Sequence, residues 1–371
     1  MKKVLFLVNH DVVIYNFRLE LVQRLIEEGY QVVVSSPYGE RIEDLKKLGC
    51  VFIDTKINRR NMNPITDLLL LRFYLHVLER IKPDIVLSYT IKPNIYGGMA
   101  CEYYNIPYIA NITGLGTAME QGGWLSILTI ILYKAAFMKV TRVFFQNNEN
   151  MQFFSNHGIA RGRHMLIPGS GVNLQHFIPL EYPSSDTIEF TFISRIMKEK
   201  GIDQFLDAAI AIKAKYPNTK FHVCGFCEED YKPKLLKLQN IGIIIYHGML
   251  SDVRDILGKV HCTVHPTYYP EGLSNVLLES CACARPIITT DRSGCKEVID
   301  DGENGYIVRQ KDGGDLVAKI ERFILLPYEQ KRLMGLNGRK KVEIKFDRKF
   351  IVNSYMAEIS ECMNGLGDHK R

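Results

Sequence analysis

The chain reads as an α/β protein of two doubly wound, Rossmann-like domains, on three observations. Short apolar runs alternate with amphipathic helical patterns; the alternation runs twice, on either side of a Pro/Ser-rich lapse; and 371 residues suit two domains better than one. Strand–helix alternation implies parallel sheets with right-handed crossovers. Open sheets of that kind hold ligands beyond the carboxyl ends of their strands, so the two domains are expected to face a central cleft.

In the first half, residues 4–8, 31–35, 51–54, 84–88, 108–112 and 142–146 read as strands. They are short, rich in Val, Ile and Phe, and mostly apolar without interruption, as strands covered on both faces are. Helical periodicity fills gaps between them at residues 19–28 and 68–81. Past the midpoint the pattern restarts, with strands at 189–193, 220–224, 243–246, 262–265 and 286–289 and helices at 202–215, 232–238, 251–257 and 274–281. Periodicity lapses at residues 179–186, which marks the join. The expected domains are therefore residues 1–178 and residues 179–345, followed by a helical segment within 346–371 that has no strand left to serve. That segment either caps the second domain or crosses back to the first.

With 46% apolar and 24% charged residues, disorder, collagen-like repetition and coiled coil are excluded. A net charge of +6 is too mild for a nucleic-acid binder. The surplus lies in residues 1–178, with 19 Lys/Arg against 14 Asp/Glu, so that half suits an acidic partner such as a phosphate-bearing substrate or an anionic membrane. Nine cysteines, an odd number, follow a start that runs from Met1-Lys2-Lys3 straight into an apolar strand without a secretory pattern, which points to a reduced, cytosolic setting. Cys224-Gly-Phe-Cys227 has the spacing of a zinc or redox pair but no second pair to match it, and buried thiols are the plainer assignment. No run reaches the roughly 18 apolar residues of a membrane span; the nearest, residues 125–140, is interrupted by Lys134 and Lys139.

Motifs narrow the ligand. Gly114-Leu-Gly116 and Gly169-Ser-Gly171 lack the third glycine of a dinucleotide fingerprint, a phosphate-binding Gly-x4-Gly-Lys-Ser/Thr loop is absent, and no Asp-x-Asp pair stands ready to chelate a metal. Two constellations remain. Arg195-Ile-Met-Lys-Glu-Lys200-Gly201 lies between a strand end and a helix start, where guanidinium, ammonium and backbone N–H groups converge on an anion, although a solvated basic loop has the same composition. Glu271-Gly-Leu-Ser-Asn-Val-Leu-Leu-Glu279 spans a strand-to-helix junction. Carboxylates eight residues apart on a helix stand roughly 12 Å apart, beyond the roughly 5–9.5 Å of a glycosidase pair. They suit an elongated ligand with hydroxyls at both ends and a phosphate between, held by free N–H groups of Gly272, Leu273, Ser274 and Asn275. That outline is a nucleotide sugar. The alternative is a local charge network around Glu279, with Glu271 exposed.

Arg195 with Lys200, followed by Glu271-x7-Glu279 in the second of two doubly wound domains, resembles the donor site of family 4 retaining glycosyltransferases of the two-domain GT-B type. Gly169-Ser-Gly171-Val-Asn and Asp301-Gly302-Glu-Asn-Gly305 resemble that family's interdomain and late-loop segments. Tyr15-Asn16-Phe-Arg18, Thr90-Ile-Lys92-Pro-Asn-Ile-Tyr-Gly97 and Thr113-Gly114-Leu-Gly116 resemble the bacterial subgroup that extends sugars on undecaprenyl diphosphate, N-acetylgalactosaminyltransferases acting on bacillosaminyl lipids among them. The resemblance implies a hexosyltransferase that needs neither metal nor cofactor. It would move a hexose or N-acetylhexosamine from a nucleotide sugar, UDP by family frequency, to a lipid-diphosphate-linked saccharide in bacterial capsule, O-antigen or glycoprotein glycan assembly.

By the same resemblance the first domain binds acceptor and the second binds donor. Arg195 and Lys200 would hold the donor diphosphate, Glu279 the ribose hydroxyls and Glu271 a hydroxyl of the transferred sugar, with base contacts near Gly225 and from His247 to Leu250. Asn16, Arg18, Lys92, Thr113 and Gly114 would form the acceptor side. Retention would follow from front-face attack in which the leaving phosphate takes the acceptor proton, fixed cations standing in for a metal. Two stretches depart from the family: Asn9-His10-Asp-Val-Val replaces a Gly-Gly loop, and Asn111-Ile-Thr113 replaces a histidine near the reacting sugar.

Residues 124–140 are apolar around the whole circumference, so this helix is either buried or dipped into lipid. Arg59, Arg60, Lys92, Lys134, Lys139 and Arg142 could receive a lipid diphosphate from the inner membrane surface, which makes a peripheral position on the inner face of the plasma membrane the expectation. Two other classes share the architecture: a non-hydrolysing UDP-sugar 2-epimerase and a catalytically silent nucleotide-sugar-binding subunit.

Overall fold

The computed structural model describes residues 1–56, 63–116, 119 and 122–368, with side chains as far as residue 364. Arg59 and Arg60 lie outside the described residues. The chain divides into two compact units, Met1–Ser170 with Lys349–Arg371, and Gly171–Arg348.

Unit 1 is built on a parallel sheet of β1 (Lys3–Leu7), β2 (Gln31–Ser36), β3 (Val51–Asp54), β4 (Ile85–Tyr89), β5 (Tyr108–Ile112), β6 (Arg142–Phe145) and β7 (His164–Leu166), in the order β3-β2-β1-β4-β5-β6-β7. Alternate side chains of β1 enter opposite cores: Val4, Phe6 and Val8 join Val32, Leu87 and Phe144, while Leu5 and Leu7 join Val86, Ala110 and Phe145. Helices α1 (Asp11–Phe17), α2 (Leu19–Glu27) and α3 (Ile42–Lys47) cover the first core. Helices α4 (Pro64–Ile81), α5 (Gly98–Tyr104), α6 (Trp124–Ala136) and α7 (Asn148–Asn156) cover the second. Two covered faces explain why the strands are apolar without alternation.

Unit 2 repeats the plan with β8 (Ile188–Ile193), β9 (Thr219–Cys224), β10 (Ile245–Gly248), β11 (Cys262–His265), β12 (Ile287–Thr290) and β13 (Gly305–Val308), ordered β10-β9-β8-β11-β12-β13 and all parallel. Its helices are α8 (Ile202–Lys215), α9 (Lys232–Asn240), α10 (Arg254–Leu257), α11 (Asn275–Ala282), α12 (Gly313–Ile324) and α13 (Tyr328–Lys345). Phe190, Phe192, Phe221 and Val264 fill one core against α8 and α12; Cys224 and Ile287 join the other against α11.

The two doubly wound sheets follow the strand–helix alternation of the sequence. Because unit 2 starts at Gly171, the Pro/Ser-rich stretch 179–186 lies inside it, where the buried Arg285 guanidinium donates to the carbonyls of Leu180 (3.2 Å) and Glu181 (2.6 Å). Strands β7 and β13, three and four residues long at sheet edges, went unread because neither carries a longer apolar run. The C-terminal helix (Arg348–Asp368) enters unit 1 from Lys349 onward, burying Ile351, Tyr355 and Ile359 beside Phe6 and Leu87.

Candidate functional site

In unit 2 the strand order reverses between β8 and β11, and the space outside the carboxyl ends of such neighbours is where doubly wound sheets take ligands. The segment after β8 carries Arg195 and then a short 3-10 turn, Lys198–Lys200; the segment after β11 carries Tyr269 and Glu271 and leads into α11. Across that reversal Lys200 Nζ donates to Glu271 Oε1, with the lysine side chain 8% exposed and the glutamate 14%. Arg195 and Lys200 share the Tyr269 ring, the guanidinium carbon 5.3 Å and the ammonium nitrogen 4.6 Å from its centroid. Both cations therefore stand beside the turn that begins at Gly272. Arg195 also donates to Glu228 Oε2 at 2.5 Å.

Close approach of three loops makes this possible. Gly201 (φ 80°) passes so near Pro266 that a Cβ would lie 2.1 Å from its carbonyl oxygen. Gly294 (φ 90°), after β12, lies against Glu271, where a Cβ would stand 2.7 Å from that residue's own Cβ. Both positions require a residue that tolerates positive φ and has no side chain.

The two glutamates are tuned in opposite directions. Burial alone would raise the Glu271 carboxyl, but the Lys200 ammonium and His265, whose Nε2 lies 3.5 Å away, outweigh it and hold the group at about 2. Burial lowers His265, against the pull of Glu271. Glu279 is lifted to about 7 by burial, with Arg348 opposing. Arg348 is brought there by Gly171, whose φ of 63° lets the chain run 2.7 Å (as a Cβ) from Arg348 Cα.

Several expectations need correction. Ser274 N–H is not free: it donates to Gly294 O at 2.8 Å because the glycine loop lies over the turn. Among the described residues, the Leu273 and Asn275 amides have no partner. Helix α11 begins at Asn275, so Glu279 lies about one turn in. Gly225 N–H donates to Gly248 O at 2.7 Å, and Leu250 packs on an apolar core. The His247 Nε2 is engaged by His222 Nδ1 (2.9 Å), and His222 is bonded in turn to Glu189 (2.8 Å). Three neighbours were missed. Tyr269 had a signal in the Tyr268-Tyr269-Pro270 step just ahead of Glu271; Glu228 and His265 arrive through the fold and had none.

Unit 1 reverses between β1 and β4. After β1, His10 caps α1, its Nδ1 accepting from Val12 N–H at 3.2 Å and lying 2.5 Å from buried Asp11. After β4, Thr90 is held at φ 70°, a costly conformation for a β-branched residue. Arg18 and Lys92, expected as acceptor-side cations, are not on the surface. Arg18 is 2% exposed between the rings of Tyr89 (5.2 Å) and Tyr355 (5.3 Å), and Lys92 donates to Asp67 at 2.7 Å. Arg142 is likewise taken up by Glu358 (2.9 Å) on the C-terminal helix, and Lys139 Nζ by Asn105 (2.8 Å). Asn16 is exposed, and Thr113 and Gly114 follow β5. Asn111 is fixed by Ser88 O (3.0 Å) and the Tyr355 hydroxyl.

Comparison with known proteins identifies the family and the fold. Residues 3–147 match the family described as "Glycosyl transferase 4-like" and residues 181–341 that described as "Glycosyl transferases group 1". The chain is 28% identical over 369 residues to the N,N'-diacetylbacillosaminyl-diphospho-undecaprenol alpha-1,3-N-acetylgalactosaminyltransferase of Campylobacter jejuni, covering 95% of this chain and 96% of that one. It is 26% identical to the capsular polysaccharide biosynthesis glycosyltransferase CapM of Staphylococcus aureus, covering 79% and 80%. A glycosyltransferase from Rickettsia africae superposes with a TM-score of 0.80 at 18% identity over 98% of each chain. Anabaena Alr3699/HepE in complex with UDP and glucose superposes with a TM-score of 0.78 at 15% identity over 97% of this chain and 100% of that one. The chain is a glycosyltransferase of the GT-B fold, its first half belonging to the glycosyl transferase 4-like domains and its second to the glycosyl transferases group 1.

Proposed function

We propose that this enzyme moves a hexose or N-acetylhexosamine from a nucleoside diphosphate sugar, uridine diphosphate first among them, to a lipid-diphosphate-linked saccharide, with retention of configuration and without a divalent metal. The observation that carries the proposal is the placing of Arg195 and Lys200 on one Tyr269 ring beside the turn into α11. As the bond between the sugar C1 and the diphosphate oxygen breaks, negative charge gathers on the departing phosphate. Cations already fixed in place stabilise that charge without reorganising. The acceptor hydroxyl bonds to C1 on the face the phosphate leaves, and its proton passes to the phosphate oxygen, so no protein base takes part.

Glu271, ionised and tied to Lys200, is unsuited to act as an acid. It accepts from a sugar hydroxyl and holds the ammonium in register. Glu279 accepts from the ribose, and the Leu273 and Asn275 amides meet the phosphate. Support for the acceptor class comes from the name of the Campylobacter relative, and for uridine from the Anabaena complex. A lipid-linked acceptor places the enzyme at the inner face of the plasma membrane.

The test incubates the protein with a panel of UDP- and GDP-sugars and a short-chain polyprenyl-diphosphate saccharide, with and without EDTA. Mass spectrometry identifies the product and NMR its anomeric configuration. Transfer from a UDP-sugar that survives EDTA and keeps the donor's anomeric form is expected. Inversion, or loss in EDTA restored by magnesium or manganese, overturns the corresponding part.

A further inference from the structure

Each of the two cations beside the turn into α11 is already matched by a carboxylate. Lys200 is tied to Glu271, on the segment after β11, and Arg195 Nη1 donates at 2.5 Å to Glu228 Oε2, on the loop after β9. A diphosphate arriving here meets two positive and two negative groups, and each carboxylate repels it. Glu271 has a task in the donor site proposed above. Glu228 has none.

The ladder between β8 and β9 continues past the strand ends. Ser194 N–H donates to Cys224 O (3.0 Å), Ile196 N–H to Phe226 O (2.9 Å) and Glu228 N–H to Ile196 O (3.1 Å), while Glu229 Oε2 accepts from Lys198 N–H (2.8 Å). Gly225, at φ 140°, lets the two loops close, since a Cβ there would stand 1.8 Å from Ser194 O. Arg195 therefore lies between two residues whose amides are both bonded to the stretch that leads into Glu228. Its carboxylate moves with Arg195, so it is a fixed wall of the site and not a stopper that the donor pushes aside.

What the pair fixes is direction. An arginine side chain 37% exposed has many rotamers open to it, and keeping one of them needs a grip. Glu228 grips one nitrogen of the fork, and the Tyr269 ring, 5.3 Å from the guanidinium carbon, supports its face. A guanidinium has five N–H donors, so others are left for a phosphate. Cations stabilise developing charge best when they need not reorganise. We propose that Glu228 is the positioning residue of Arg195: its charge weakens nucleotide binding, and its oxygen keeps the guanidinium directed at the departing phosphate. The inference rests on the donor site proposed above.

The test measures two quantities, the Kd for UDP by calorimetry and the single-turnover rate of transfer from saturating UDP-sugar to the short-chain acceptor, which reads the chemical step apart from product release. Glu228→Ala should slow that step about 10- to 100-fold. Glu228→Gln, which keeps an oxygen and drops the charge, should recover most of that rate and bind UDP about threefold to tenfold more tightly than wild type. Asp230→Asn removes an exposed carboxylate two residues on and should leave the Kd within about twofold. In an Arg195→Ala background, Glu228→Ala should slow the step by less than about twofold more, because it acts through the missing side chain. A Glu228→Ala protein as fast as wild type or faster, a Glu228→Gln protein that binds UDP no more tightly, an Asp230→Asn protein that tightens as much, or an equal loss from Glu228→Ala with and without Arg195 overturns the inference. Slower transfer and weaker UDP binding in both Glu228 variants, with lower melting temperatures, marks a structural role and overturns it as well. A wild type that binds no nucleoside diphosphate overturns the donor site and this inference together. One that binds UDP but transfers nothing overturns the acceptor assignment alone, and the UDP affinities of the Gln and Asn variants then decide this inference.

Discussion

Lys200 and Glu271 hold each other where neither charge would rest alone. Removing one partner of a buried pair leaves the other uncompensated, at a cost of about 3–5 kcal/mol. Lys200→Ala is therefore expected to lower unfolding free energy by about 3 kcal/mol besides cutting turnover by orders of magnitude. Adding Glu271→Gln should restore most of the stability and none of the turnover, a split that urea unfolding and kcat together resolve. Acid should act through the same pair. Its carboxyl is held at about 2, below the ordinary value of 4.5, so its contribution is present above pH 4.5 and lost as pH falls toward 2. Glu279 has the opposite sign: with a folded value of about 7 against 4.5, the native state binds the extra proton, and stability falls as pH rises between the two. Glu279→Gln should flatten that window. If the ionised carboxylate accepts from ribose, UDP should bind more tightly as pH rises through about 7 in wild type and not in the glutamine variant, which calorimetry measures.

Between elements, the loops after β8 and β11 meet through glycine. Gly201 and Gly242 have nearly the same φ, 80° and 75°, but a Cβ at 201 meets Pro266 O at 2.1 Å while one at 242 meets nothing within 4 Å. Gly242→Ala should cost only the left-handed strain, about 1 kcal/mol. Gly201→Ala should cost more, about 2–3 kcal/mol, and should also raise the donor KM, because the loop that must move carries Lys200. Equal melting points and equal KM for the two variants would contradict that account. Helix α6 shows the limit of periodicity at this scale. Its sequence reads as apolar around the whole circumference, yet neighbours bury the side that carries Ser126 and Thr129 and leave Trp124, Ile127 and Ile131 exposed.

Across the whole chain, the C-terminal helix is the longest-range tie in unit 1. It supplies Ile351, Tyr355 and Ile359 to the core, Glu358 to Arg142, and the Tyr355 ring and hydroxyl to Arg18 and Asn111. Deleting residues from Lys349 onward should speed hydrogen exchange in β1, β4 and β5 and leave β8 and β11 protected, as mass spectrometry of the exchanged peptides would show.

Local order along the chain was enough to establish two rounds of strand and helix, the doubly wound class, and the spacing of Arg195, Lys200, Glu271 and Glu279. Those features depend on residues close in sequence, where a period of 3.6 or an unbroken apolar run leaves a visible trace. The Lys200–Glu271 bond joins residues 71 apart, Tyr269 gathers two cations from another loop, and Arg18 and Lys92 are withdrawn from the surface by partners from distant elements. Burial, charge pairing and the opposite tuning of the two glutamates arise from what strand order packs beside each residue, and that adjacency leaves no periodicity to read.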